Sequence, residues 1–335
     1  MAEQVAHRTA PVVSPGLGVA ASAGVLLVAY SWLVALWPSR HGSTPDVVVQ
    51  VRLWVNKPTG MSEDFGFLGT ALLLLVAGYA LTGPVLSGPV LSGPVGSGPV
   101  LFGRLARVLR AGGPPLLVAV VAGAVLRVVG LPPLTDAAVT APVGALVLFT
   151  ALAFALRPLT RRSPGLAVFV LVEIAFLVTL AAGWLAGDDG SGPARLVGKA
   201  AALVPVLALG QLSWLHRAGR LPAAWGVGLG LLFLALLVPV DTLFPELKGY
   251  WHPLGATTAL LLFMIAVPRG ETVARSRLLW WSTERAWPLF LAVPVVGYPV
   301  LTLLDALPFP LALPVALAAT VLAGEALHRT TRWSA

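Results

Sequence analysis

The fold is decided by the stretch FGFLGTALLLLVAGYALTG at residues 65–83. It is apolar over about twenty residues, the length with which a helix crosses the hydrocarbon core of a bilayer. The basic segment GRLARVLR at 103–110 and a second apolar run, PPLLVAVVAGAVL at 114–126, come after it. An apolar segment, a basic one and another apolar one are typical of a chain that enters and leaves a membrane.

The composition extends this interpretation to the whole chain. The 335 residues are 57% hydrophobic and 11% charged, with a mean hydropathy of +0.88, whereas soluble domains carry about 25% charged residues. The net charge of +8 is spread over short segments between apolar runs, so no nucleic-acid partner is predicted. We therefore predict an all-α fold, a polytopic bundle of transmembrane helices surrounded by membrane lipids.

About ten spans are predicted, because about 20 helical residues cross the hydrocarbon core. They lie at residues 17–37, 65–82, 115–130, 141–157, 166–187, 196–215, 222–243, 251–268, 286–305 and 308–327. Residues 17–327 are taken as one transmembrane domain between an N-terminal tail, 1–16, and a C-terminal tail, 328–335.

The distribution of basic residues predicts the orientation of these spans. If the N-terminus is cytoplasmic, 15 of the 22 Lys and Arg residues fall in cytoplasmic segments or at the adjoining span ends, six fall in outer loops or at the adjoining span ends, and Arg127 is assigned to a span. Cytoplasmic loops of membrane proteins are enriched in Lys and Arg. Both termini are therefore predicted to be cytoplasmic, and the plasma membrane is the predicted location.

Two connecting segments carry unusual patterns. Residues 84–102 continue a Gly-Pro-Val repeat with a five-residue period, in which proline and glycine predict a non-helical cytoplasmic linker. The outer loop at 38–64 contains the alternating run VVVQVRLWV at 47–55, which predicts a short strand or an interfacial segment. Its charged residues are interpreted as solvated loop charges or as a site for a polar acceptor: Arg52, Lys57, Glu63 and Asp64.

Several chemistries find no support in the sequence. The absence of cysteine excludes disulfides, thiolate metal sites and a cysteine nucleophile. No two of the five histidines have the spacing of metal ligands, so no metal is predicted. The glycines at 226, 228 and 230 are interpreted as small residues that allow close packing of helices.

Glu173 and Arg127 are the ionisable residues within predicted spans that bear on function. Glu173 lies roughly 10 Å from the cytoplasmic end of its span by helix rise, where a charge is costly and is usually functional or paired. A protonated Glu173 that bonds across helices is the structural alternative. Arg127 lies close to the outer end of its span and can extend to the headgroups.

Several segments resemble the acyltransferase-3 family of integral-membrane O-acyltransferases. Residues 65–83, with Ala77-Gly78-Tyr79 near the end, are similar to that family's second span. FGRLARVLRAGGPPLLV at 102–118 resembles its cytoplasmic basic segment, AWPLFLAVPV at 286–295 its late Tyr-Pro-Leu-Tyr-Leu-Leu-His signature, and Glu325 in GEALHRTTR its terminal Glu-Arg-Pro. The four segments occur in the family's order.

The resemblance implies transfer of an acyl group from cytoplasmic acyl-CoA to a hydroxyl of a glycan, lipid or small metabolite. It implies no tightly bound cofactor, since acyl-CoA is the donor substrate. Arg104, Arg107 and Arg110 are the candidates for binding the acyl-CoA phosphates through charge-assisted hydrogen bonds; positive-inside topology explains them equally well.

The chain departs from the family at the positions expected to hold histidine. The family's first span opens Gly-Leu-Arg with a histidine eleven residues after the arginine, whereas this chain has Gly18 and then Ala29, next to Tyr30. The histidine of the late signature corresponds to Val293. Acyl transfer to a hydroxyl needs a base that works near neutral pH, so Tyr30 and Glu173 become the candidate catalytic residues.

Two other classes of function compete with the enzyme. The missing histidines also suit a catalytically inactive relative that binds or translocates a lipid or an acylated molecule, or that scaffolds membrane partners. A secondary transporter is less favoured, because residues 17–157 and 166–327 lack the internal symmetry typical of transporters.

Overall fold

The fold is described from a computed structural model that covers residues 15–59, 63–86, 130, 137–186, 192–243, 253–273 and 277–333. Within these ranges the secondary structure is helical and contains no strand. The prediction of an all-α fold is therefore confirmed for the described residues.

The helices are numbered in chain order. They are α1 (Pro15–Ala29), π1 (Tyr30–Leu36), α2 (Trp37–Arg40), α3 (Asp46–Val51), π2 (Arg52–Asn56), α4 (Lys57–Thr59), α5 (Gly66–Leu86), α6 (Ala137–Ala155), α7 (Arg157–Arg162), α8 (Pro164–Ala186), α9 (Pro193–Arg217), α10 (Ala223–Leu243), α11 (Pro253–Val273), α12 (Arg277–Glu284), α13 (Ala286–Ala292), π3 (Val293–Gly297), α14 (Tyr298–Leu303) and α15 (Phe309–Trp333). A single 3-10 turn, Glu63–Phe65, precedes α5.

Six helical stretches are long and apolar enough to cross a membrane. They are Gly16–Arg40, Gly66–Gly83, Pro164–Ala186, Pro193–Arg217, Ala286–Leu303 and Phe309–Thr330. Three shorter apolar helices, Thr140–Ala155, Ala223–Pro239 and Pro253–Pro268, fall on further predicted spans. The predicted span at 115–130 lies outside the described residues apart from Gly130.

Helix α5, which contains most of the apolar stretch at 65–83, packs closely between two other helices. A Cβ placed on Gly69 would lie 2.6 Å from the carbonyl oxygen of Gly24 in α1. A Cβ on Gly78 would overlap the carbonyl oxygen of Leu207 in α9. Since only hydrogen fits at these crossings, the small residues allow the backbones to approach closely.

Two hydrophobic clusters fill the bundle. The larger one surrounds α5 and α9 and includes the fully buried rings of Phe149, Phe233 and Phe263. The second one joins α1 and π1 to α13, π3 and α15, and has Trp32 and Phe290 at its centre. Both clusters contain residues of α1 and α5, so these two helices link the halves of the bundle.

The two ends of the bundle can be told apart by their contacts. At one end, the Trp37 end, Trp37 Nε1 donates to Thr302 Oγ1 at 3.3 Å, and the Trp37 ring stacks on Phe309. At the other, the Arg285 end, the Ser22 and Ser282 hydroxyls are hydrogen-bonded and Arg285 pairs with Glu325. Helix α1 begins and α15 ends at the Arg285 end.

The strand alternative for residues 47–55 is wrong, and the predicted linker differs at its boundary. The run at 47–55 is helical, within α3 and π2, rather than a strand; an i to i+4 pair between Trp54 Nε1 and Gln50 Oε1, at 2.8 Å, supports the helical geometry. Helix α5 continues through Pro84 to Leu86, three residues into the predicted linker, because apolar helices of membrane proteins tolerate proline.

The glycines of α10 do not mediate a close helix crossing among the described residues. A Cβ on Gly226 or Gly230 would lie 3.8 Å from a leucine side chain, and a Cβ on Gly228 would have no atom within 4 Å. Their predicted packing role is therefore wrong for this part of the chain, because the crossings are made by Gly69, Gly78 and Gly210 instead.

Candidate functional site

Two π-helical segments and the turn before α5 meet near the Trp37 end. Segment π1 interrupts the helix that runs from Pro15 to Arg40, and π2 interrupts the outer-loop helix. Both pack against the Glu63–Phe65 turn. A π-helical turn is rare and is frequently found at functional sites, so this junction is the first candidate for chemistry.

An ion pair holds the junction together. Arg52 Nε donates to Asp64 Oδ1 and Arg52 Nη2 donates to Asp64 Oδ2, both at 2.8 Å. The Asp64 residue is only 8% exposed, so it is not the solvated loop charge that the sequence favoured. Bidentate pairing of this kind fixes the orientation of both groups, and Arg52 also donates to Ser39 Oγ at 3.3 Å.

The backbone of the turn is strained. Asp64 has a φ of 75° and Phe65 a φ of 57°, a left-handed conformation that costs of order 1–3 kcal/mol per residue outside glycine. A side chain on the next residue, Gly66, would approach Ser31 Oγ to 2.5 Å. This backbone conformation places Asp64 next to Arg52, and α5 begins in contact with π1.

Three side chains at this junction carry buried polar atoms with no hydrogen-bond partner among the described residues. They are Tyr30 Oη, Trp32 Nε1, and both Nδ2 and Oδ1 of Asn56. Trp32 is 1% exposed and Asn56 is 3% exposed. A buried polar group left unpaired costs about 1–3 kcal/mol, so each such group in a folded protein calls for an explanation.

Tyr30, Trp32, Arg52, Asn56 and Asp64 are together called the Tyr30 cluster. Tyr30 lies close enough to Asp64 and Arg52 to interact with their charges, and its ring is 6.2 Å from that of Phe65. The cluster offers donors from phenol, indole and amide, and acceptors from phenol and amide. Groups of these kinds can bind a ligand hydroxyl, which both donates and accepts.

Ala29 and Val293, where the resemblance leads one to expect histidine, lie in the same region. Ala29 precedes π1, and Val293, which is 1% exposed, begins π3. Both belong to the hydrophobic cluster centred on Trp32, and π1 packs against π3. The side chains at both positions are apolar and supply no proton acceptor.

The other predicted site residues are not brought into this cluster. Glu173 lies half-buried on α8, whose main packing partner is α9, and no hydrogen bond or ion pair with a described residue involves it. Arg104, Arg107 and Arg110 lie outside the described residues. Of the candidate catalytic and acyl-CoA-binding residues, the described part of the chain therefore places only Tyr30 in a polar cluster.

A second polar cluster lies at the Arg285 end. Arg285 Nε donates to Glu325 Oε2, Arg329 Nε donates to Glu325 Oε1 at 3.1 Å, and the Arg285 guanidinium lies 5.0 Å from the centre of the Trp281 ring. It joins the start of α13 to α15 and brings together two segments that resemble the acyltransferase-3 family. Because its charges are paired with one another, the cluster is better suited to fastening helices than to binding a ligand.

Sequence reasoning missed Trp32 and Asn56. Both residues stand out only through their unpaired buried atoms, because a tryptophan or an asparagine within an apolar run belongs to no recognisable motif. Asp64 did carry a signal, because it directly precedes an apolar span, where an acidic residue is held at the interface or paired.

No group of three or more metal-ligating side chains occurs among the described residues. No protein-family model, curated protein or solved structure matches the chain, so the chemistry of the Tyr30 cluster has to carry the assignment of function.

Proposed function

We propose that the chain is an acyltransferase-3-like, multi-pass membrane protein. It transfers an acyl group from acyl-CoA to a hydroxyl of a glycan, lipid or small metabolite. The observation that carries the proposal is the Tyr30 cluster, whose unpaired buried donors and acceptors suit an acceptor hydroxyl. Tyr30 also adjoins the position where the family resemblance expects a histidine.

The reaction assigns roles to the residues of the cluster. The acceptor oxygen attacks the thioester carbonyl, the carbon–sulfur bond breaks, and coenzyme A leaves as the thiol with the acceptor's proton. Tyr30 and Trp32 orient the acceptor hydroxyl, while the Arg52–Asp64 pair supports the turn beside it. Arg104, Arg107 and Arg110 would bind the phosphates of acyl-CoA. Glu173 lies on α8, outside the cluster, and takes no part in this step.

Purified protein in lipid nanodiscs tests this proposal. With acetyl-CoA and palmitoyl-CoA as probes, we expect release of free coenzyme A above the level of empty nanodiscs, and a loss of most of that release in Tyr30→Phe. The enzyme proposal is rejected if neither probe binds and neither is hydrolysed or transferred.

A catalytically inactive relative that binds or translocates a lipid or acylated molecule, or scaffolds partners, is the second candidate. It is favoured by the apolar side chains at Ala29 and Val293, and by the engagement of the Asp64 carboxylate with Arg52. Tyr30 also lies about 22 Å along the helix from Pro15, by a rise of about 1.5 Å per residue, which separates it from a donor bound at the opposite face. Binding without any turnover in the nanodisc assay supports this candidate.

We further propose ten spans, cytoplasmic termini and a location in the plasma membrane. Three observations support the number and orientation. Nine apolar helices fall on nine of the predicted spans, α1 begins and α15 ends at the same end of the bundle, and the basic residues concentrate at that end under this topology.

A further inference from the structure

An apolar groove runs between α8 and α10. It has a volume of about 410 Å³, is open on one side, and is lined by Phe169, Ala224, Trp225, Gly228, Leu229 and Leu232. Leu229 is buried and forms its floor, whereas Trp225 is 63% exposed at its rim. Gly228 has no side chain, and a Cβ at this position would have no described atom within 4 Å, so the groove stays open there.

Four arginines surround the end of this groove. Arg161 and Arg162 close α7, directly before α8, and Arg217 and Arg220 lie at the end of α9 and in the turn to α10. All four are exposed. They share one corner, because a Cβ on Gly165 in α8 would lie 3.1 Å from Leu221 Cδ1 in that turn.

The corner is basic, and the acidic residues of its two walls, Glu173 on α8 and Asp241 on α10, lie farther along those helices. Residues 156–172 and 211–240, which form both walls of the groove and its rim, contain no Asp or Glu. His216 adds a further nitrogen beside the turn, with its Nδ1 3.3 Å from the Leu221 carbonyl oxygen. An apolar groove that opens towards four exposed arginines suits an anionic amphiphile, which has an apolar chain and a negatively charged headgroup.

We propose that this corner binds an anionic glycerophospholipid. One acyl chain lies in the groove, against Phe169 and Gly228, and the headgroup phosphate contacts Arg217 and Arg220, with Arg161 and Arg162 beside it. The volume falls within the roughly 300–1,000 Å³ of small-molecule sites. Basic pockets between transmembrane helices on the cytoplasmic side bind acidic headgroups, and Trp225 lies where an indole favours the headgroup level.

Native mass spectrometry of the detergent-solubilised full chain tests the proposal. It is titrated with dioleoyl phosphatidylglycerol, with dioleoyl phosphatidylcholine, and with soluble glycerol 3-phosphate as a competitor. We expect phosphatidylglycerol to bind at least tenfold more tightly than phosphatidylcholine and to resist displacement by glycerol phosphate. An arginine near the headgroups contributes about 1 kcal/mol, so Arg217→Gln with Arg220→Gln weakens phosphatidylglycerol about tenfold or more.

Matched variants separate the groove from general electrostatics. Gly228→Leu fills the groove and is expected to weaken both lipids, whereas Gly226→Leu, two residues away on the same helix, leaves both unchanged. Lys57→Gln with Arg277→Gln removes the same number of exposed charges elsewhere and leaves the preference intact. Equal binding of the two lipids, unchanged binding by Gly228→Leu, or displacement by glycerol phosphate would overturn the proposal.

Discussion

At the scale of single residues, the unpaired hydroxyl of Tyr30 is expected to lower the stability of the fold and to serve ligand binding. A buried donor without a partner destabilises a fold by about 1–3 kcal/mol. Tyr30→Phe removes that hydroxyl and keeps the ring against Phe65. We expect the midpoint of thermal unfolding in detergent to stay the same or rise, while ligand binding or acyl transfer at the Tyr30 cluster falls at least tenfold.

Tyr79→Phe is the matched control. It removes a hydroxyl from a ring that packs on Phe263 in the larger hydrophobic cluster, and it should leave both binding and transfer unchanged. A Tyr30→Phe variant that is clearly less stable would mean that the hydroxyl is bonded within the fold rather than held for a ligand.

The Arg52–Asp64 pair allows a second measurement at this scale. Arg52→Met leaves a largely buried carboxylate without its bidentate partner, and removal of one member of such a pair is strongly destabilising. Because Arg52 is partly exposed to solvent, we expect a loss of roughly 1–3 kcal/mol. In a double-mutant cycle, Arg52→Met with Asp64→Asn, which keeps a residue that tolerates the left-handed backbone, should recover part of that loss; additive losses would mean that the two residues act independently.

From the sequence, Tyr30 is a candidate because it follows Ala29, where the family resemblance expects a histidine; its role stays a prediction. The surroundings of Tyr30 were not predicted, because the buried ion pair beside it depends on two left-handed residues, Asp64 and Phe65. Left-handed backbone at an aromatic residue contradicts local propensity. It is imposed by the packing of π1 and α5, which no window of sequence contains.

At the scale of helices, α5 depends on glycine where its backbone touches α9. A Cβ on Gly78 would overlap the Leu207 carbonyl oxygen, and one on Gly210 would overlap the Leu75 carbonyl oxygen. We expect Gly78→Ala to lower the free energy of unfolding by about 1–3 kcal/mol or more, as overpacking does. The measurement is the retention of folded protein after heating, followed by fluorescence-detected size exclusion.

Gly228→Ala is the control at the same scale. Its Cβ meets open space, so replacement of a helical glycine by alanine should stabilise the protein by about 0.5–1 kcal/mol. If Gly78→Ala and Gly228→Ala behave alike, the close crossing of α5 and α9 is incorrect.

Apolar periodicity predicted where helices lie, but not which glycines they use. Gly78 and Gly228 both sit in apolar runs with small neighbours, and the sequence favoured the glycines of α10 for packing. Crossing points depend on the angle between two helices and on the residue opposite, such as Leu207. The π-helical segments were missed for a related reason, since each is fitted to its packing partner.

At the scale of the whole molecule, the contacts at the helix termini show at which end of the bundle each of several described helices begins. Helix α5 runs away from the Trp37 end, because its first residue adjoins Ser31 and its later residue Gly83 lies beside Trp214 at the end of α9. Helix α8 starts beside the turn after α9, so α6, which leads into α7 and α8, starts at the Trp37 end. Leu86 and Ala137 therefore lie at opposite ends of the bundle, which suits the proposed span at 115–130.

The absence of natural cysteine makes this topology directly measurable. Single cysteines in exposed loops, Ser43→Cys and Ala306→Cys at the Trp37 end and Ala218→Cys at the Arg285 end, are expressed separately in intact cells. If both termini are cytoplasmic, a membrane-impermeant maleimide labels positions 43 and 306 from outside, and labels position 218 only after lysis. The unsubstituted chain is the background control. Labelling of positions 43 and 306 from opposite sides would contradict the even number of crossings proposed between them. Labelling of position 218 alone from outside would mean that the orientation is opposite to the proposed one.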